Sequence, residues 1–137
     1  NLLYPGATAG HHQLTHDEPG DQPQVNSIVK YIMSDVAYFI DKMGSIVEGD
    51  ETLLDHGVFL CTSDVSNGRT HQIDEFPIIV AGTAGGRLVN GLHYRSTSKE
   101  STSLAAYSVL SSLDILQNSF GDGDAQATYG LSALESS

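Results

Sequence analysis

From Pro23 onward, apolar residues recur at every third or fourth position: Val25, Ile28, Val29, Ile32, Met33, Val36, Phe39, Ile40 and Met43. That spacing predicts a helix over 22–44 with one wide apolar face, and Gly44 is placed to stop it. A stripe of this kind is expected to be core. Two short apolar runs follow, Gly57-Val58-Phe59-Leu60-Cys61-Thr62 and Phe76-Pro77-Ile78-Ile79-Val80-Ala81-Gly82. They read as strands buried on both faces, over 57–62 and 77–82, and with a helix before them they suggest neighbouring parallel strands of an α/β sheet. Between the first helix and these runs, Glu48-Gly49-Asp50-Glu51 reads as a turn. Asn90-Gly91 between alternating apolar residues predicts a small β-hairpin over 86–95. A second helix is expected over 102–117, with Leu104, Tyr107, Leu110, Leu113 and Leu116 on one side and Ser101 or Thr102 as its cap. Residues 1–21, interrupted by Pro5, Gly6, Gly10, Pro19 and Gly20, read as a histidine-rich loop, and the tail from Asn118 as irregular.

Composition narrows the function classes. The 137 residues suffice for one domain with a core. A net charge of -11 with only six Lys and Arg argues against nucleic acid as a partner, because phosphate binding needs clustered cations. It also disfavours an anionic lipid surface. No run approaches the roughly 20 apolar residues that span a bilayer, so no membrane insertion is expected. Cys61 is the single cysteine, within an apolar run, and is expected to be buried and inert.

The candidate chemistry lies with the histidines. Three of the six fall in Ala9-Gly10-His11-His12-Gln13-Leu14-Thr15-His16-Asp17-Glu18. His12 and His16 are spaced i, i+4, which on a helix would put both imidazoles on one face, although Gly10 and Pro19 leave little room for one. Thr62-Ser63-Asp64 ends the first strand run, and His71 follows in the next loop. In open α/β sheets function gathers at the carboxyl ends of strands, which points to Asp64 and His71. The alternative is that Asp64 caps a turn formed by Asn67-Gly68. His12, His16, Asp64 and His71 are therefore the candidate metal ligands. Thr15, Asp17 and His11 are further ligands or orienting partners. Asp55-His56 reads as structural. The glycine-rich stretch after Val80 lacks the order of a dinucleotide site, and Gly121-Asp122-Gly123-Asp124 lacks the other ligands of a calcium loop.

The order of these motifs resembles the HXXSHH-motif domain-of-unknown-function family, a group of exported bacterial proteins. His12-Gln13-Leu14-Thr15-His16-Asp17 resembles its signature, with Thr15 in place of Ser and Asp17 in place of the last His. Glu48 to Asp55 resembles its "EGDGTLLD" segment, Ser66 to His71 with Phe76-Pro77 its "SNxxxH…LP" segment, Val80 to Gly91 its glycine-rich stretch, and Phe120-Gly121-Asp122 its "FGD". The resemblance implies that the chain is either a single domain or the C-terminal piece of a longer one. It also implies export to the periplasm, cell exterior or cell surface. The strand, Thr-Ser-Asp and histidine loop are similar to the C-terminal half of alkaline-phosphatase and sulfatase-type hydrolases, although Val65 stands where those have a His.

That similarity implies an alkaline-phosphatase-like sandwich with a mainly parallel sheet flanked by helices. It implies a divalent metal, zinc or calcium, in a hydrolytic site for phosphate or sulfate esters. The alternative is a non-catalytic extracellular or surface-assembly protein that keeps the fold. The expected partner is the remainder of its own precursor or another subunit, meeting the second helix and one side of the sheet.

Overall fold

The computed structural model describes residues 4–115 and 118–136. It divides into two compact units, one formed by Asn1–Lys42 with Thr62–Ile78 and the other by Met43–Cys61 with Ile79–Ser137.

In the first unit, α1 (His11–Asp17) occupies part of the run expected as loop, and α2 (Pro23–Ser45) is the long amphipathic helix. Proline suits the first turn of α2, where its missing N–H has no intrahelical partner. The exposed N–H groups of Gln24 and Val25 are met by the carboxylate of Glu18, at 2.9 and 3.0 Å. Glu18 is only 6% exposed. Burial would raise its pKa, but the hydrogen bonds from Val25 and Gln24 outweigh this and hold it below the usual carboxylate value. A negative charge at a helix N-terminus is favourable for the same reason. The core of this unit is Ala7, Leu14 and Ile28, with Tyr4, Ala9 and Val25 packed against it.

The apolar stripe on α2 is buried only at its beginning. Ile28 is 2% exposed, whereas Ile32 is 39% and Phe39 47% exposed, and Val29 and Met33 are also open. The expectation that the whole stripe is core is therefore corrected. Periodicity shows which face of a helix is apolar; it does not supply the atoms that cover it.

In the second unit, β1 (Val47–Glu48) and β2 (Glu51–Thr52) pair antiparallel, with Gly49 in the left-handed region at φ 66°. Thr52 and Asp55 then form a reciprocal capping box on the one-turn helix α3 (Leu53–His56). β3 (Phe59–Thr62) pairs with β4 (Ile78–Ala81).

This pair is antiparallel, and there is no parallel sheet among the described residues, so the α/β expectation of an alkaline-phosphatase-like sandwich is overturned. The physical reason lies in the connection. A parallel return needs a crossover, usually a helix, and none forms between Thr62 and Ile78. The chain instead turns back, and the Thr62 hydroxyl donates to the Pro77 carbonyl at 2.9 Å. Exposure alternates along β3, as in a sheet with one wet face.

The 86–95 hairpin does not form either. Leu88 bridges Glu135 instead, and Val89 donates to Leu134 at 2.8 Å. α4 (Ser103–Ser112) buries Leu104, Ala105, Ser108 and Ser112, a face of small residues, while Leu113 is exposed. Leu116 and the end of the expected 102–117 helix lie outside the described residues. The Ser108 hydroxyl donates to Glu135 at 2.8 Å and accepts from the Leu131 N–H at 2.7 Å, so this buried side chain is satisfied. Cys61 is half-buried.

Candidate functional site, a histidine cluster

α1 sets the first half of the site. Leu14 and Glu18, four apart, are buried, which leaves His12 and His16, also four apart, on another side of the same short helix. Their ring centroids are 4.9 Å apart, with the rings edge-on. Thr15 turns its hydroxyl back to the His12 carbonyl at 2.6 Å, so it donates within the helix rather than towards the imidazoles.

The second half comes from a small turn between β3 and β4. Asn67 and Gln72 bridge antiparallel, and the Asn67 side-chain oxygen accepts from the N–H groups of Arg69 and Thr70 at 3.1 and 3.2 Å. Two contacts press this turn onto α1. Gly68 lies so close to Thr15 that a Cβ on it would sit 2.7 Å from the Thr15 Cβ. The Arg69 guanidinium donates to the Glu18 carbonyl in a short hydrogen bond. His71 then falls beside His16: their Nε2 atoms are 3.2 Å apart and their ring centroids 4.9 Å. The His12 and His71 centroids are 6.5 Å apart.

His71 adopts φ 54°, in the left-handed region that costs a non-glycine residue free energy. Backbone strain of this kind is held in place by its surroundings, here the Asn67–Gln72 bridge and the docked Gly68 and Arg69.

Of the candidate ligands, the fold thus gathers His12, His16 and His71. Asp64 is exposed, and its carboxylate accepts from the neighbouring Ser63 hydroxyl at 3.5 Å. Asp17 is exposed at the end of α1 and His11 is half-buried at its start. Among the described residues, no three His, Cys, Asp or Glu side chains are disposed to hold a metal ion as they stand. One pair of nitrogens has a separation compatible with a shared ion. A pair bound to one tetrahedral zinc at about 2.05 Å each would lie about 3.3 Å apart. The His16–His71 separation of 3.2 Å is close to that.

Sequence reasoning missed the residues that build the cluster. Gly68 was read as part of a turn, but its role is to let the turn approach Thr15. Glu18, by its place beside the histidines, suggests a ligand or orienting partner for an imidazole, but its carboxylate caps α2 instead, and Arg69 carries no signal beyond its charge. His56 is a second charged cluster, in the other unit: its Nδ1 is 3.1 Å from Glu48 and its Nε2 2.7 Å from Glu51. Those two carboxylates raise its pKa.

Comparison with family models, with curated proteins and with solved structures gives no match.

Proposed function

We propose that the protein binds a divalent transition-metal ion through His16 and His71, with His12 as the third ligand. The observation that carries this reading is the 3.2 Å approach of two imidazole nitrogens from segments 55 residues apart. The borderline-soft nitrogen donors favour zinc over calcium, which takes oxygen ligands. A three-histidine set would leave a coordination position for water, the arrangement of hydrolytic zinc sites, and the bound ion would supply Lewis-acid chemistry there.

The motif resemblance supports placing this site in an exported, hydrolase-like protein of the HXXSHH group. Phosphate and sulfate esters are the substrates to assay first. The alternative remains a non-catalytic surface protein that holds the metal without turnover.

Zinc titration calorimetry on the whole chain tests the reading. His16→Ala and His71→Ala should each weaken binding by at least about tenfold. Asp64→Asn should leave it unchanged. Equal affinity in all three variants would overturn the site. If binding holds, chelator-sensitive hydrolysis of aryl phosphate or sulfate esters separates the enzyme from the non-catalytic alternative.

A further inference from the structure

We infer that the open face of α2 is a self-association surface, on which a second copy of this chain pairs antiparallel. Along this helix Val25, Val29, Ile32, Val36, Phe39 and Met43 follow one another at alternating steps of four and three. That is the a/d seam of a coiled coil, with Val29, Val36 and Met43 at a and Ile32 and Phe39 at d. The middle of the seam is open, since Val29, Ile32 and Phe39 are all exposed.

The flanking positions indicate the occupant. Asp35 and Lys42 precede the a residues Val36 and Met43, and so lie at g; Met33 and Ile40 follow the d residues and lie at e. In an antiparallel pair g faces g and e faces e, and a packs against d. With the two-fold axis between Ala37 and Tyr38, Val36 meets Phe39 of the second copy and Ile32 meets its Met43. The same register places Asp35 opposite Lys42 of the second copy, twice by symmetry, and Met33 opposite its Ile40.

From Ile32 to Met43 each seam position then meets an apolar one, and the two g-position charges meet their opposites. A C2 contact is self-complementary in this sense. In a parallel pair g faces e, and Asp35 would lie against Ile40, a charge against an apolar side chain. The antiparallel register is the one this sequence matches. The polar positions Lys30, Ser34 and Asp41 are left on the outside.

Sedimentation of the 137-residue chain over a concentration series tests the pairing, with circular dichroism reporting helix content for each variant. A reversible dimer is expected. Asp35→Lys and Lys42→Asp should each raise its dissociation constant by at least about tenfold, because each puts like charges face to face twice. The double exchange Asp35→Lys with Lys42→Asp should restore it, which no parallel register predicts. A wild-type chain that stays monomeric throughout overturns the proposal. So does a dimer that ignores the single exchanges, or one that the double exchange fails to restore in a helical protein. Zinc titration of the wild type is a separate readout, so loss of pairing and loss of the metal site are distinguishable.

Discussion

Ile28 and Ile32 stand one turn apart on the same helical stripe, and replacing each by Ala should give clearly different results. Ile28 is 2% exposed among Ala7, Leu14 and their neighbours, whereas Ile32 is 39% exposed. Truncating Ile28 removes three carbons at about 0.8 kcal/mol each. The cavity left behind adds to this, for a total of about 3 kcal/mol. At Ile32 the same truncation leaves no enclosed cavity, and much of the lost surface was already wet, so about 1 kcal/mol or less is expected. The better helix propensity of Ala offsets both costs by a few tenths and cancels in the comparison.

Urea unfolding followed by far-ultraviolet circular dichroism measures the difference. The chain contains no Trp, so indole fluorescence is no substitute. Dilute samples isolate the monomer; any Ile32→Ala cost that grows with protein concentration belongs to pairing through α2. Equal costs at the two positions in dilute solution would refute the account of where the core ends.

Glu18→Gln should lower the urea midpoint, because the first N–H groups of α2 lose a charged acceptor. Since the folded pKa of Glu18 lies below its unfolded value, its contribution is present above the ordinary carboxylate pKa and is lost as pH falls through the folded one. Wild type and variant should therefore converge in acid. His56 has the opposite sign: its pKa is raised by Glu48 and Glu51, so its contribution is complete below the unfolded value of about 6.5 and disappears as pH rises through the folded one. Melting temperatures of wild type and His56→Gln compared from pH 5 to about 9 should show the gap closing upward, and closing further in salt, because these groups are exposed.

What the sequence made legible depended on locality. The α2 helix was readable because period, Pro23 and Gly44 all act within the segment that they describe. The existence of the two strands was readable from Phe59–Thr62 and Ile78–Ala81 for the same reason. Their direction was not, because it depends on whether the chain between them makes a crossover, and apolar runs say nothing about that. Asn90-Gly91 shows a local signal overridden: Leu88 and Val89 found partners near Glu135, far along the chain. The i, i+4 spacing of His12 and His16 pointed to a shared face, and α1 provides one despite Gly10 and Pro19. The parallel-sheet rule that points to both Asp64 and His71 went with the sheet, and His71 reaches His16 through the docked turn instead.

His71 sits in a backbone conformation that an imidazole-bearing residue occupies at a cost of about 1 kcal/mol. Glycine would occupy it freely and asparagine with less penalty. His71→Gly should thus abolish the imidazole pair while relaxing the turn that carries it, so that the binding-deficient chain is no less stable, or even more stable, than the metal-free original. If His71 holds the proposed metal, binding and stability are set against each other at this position. On backbone grounds alone, glycine is the residue this position favours.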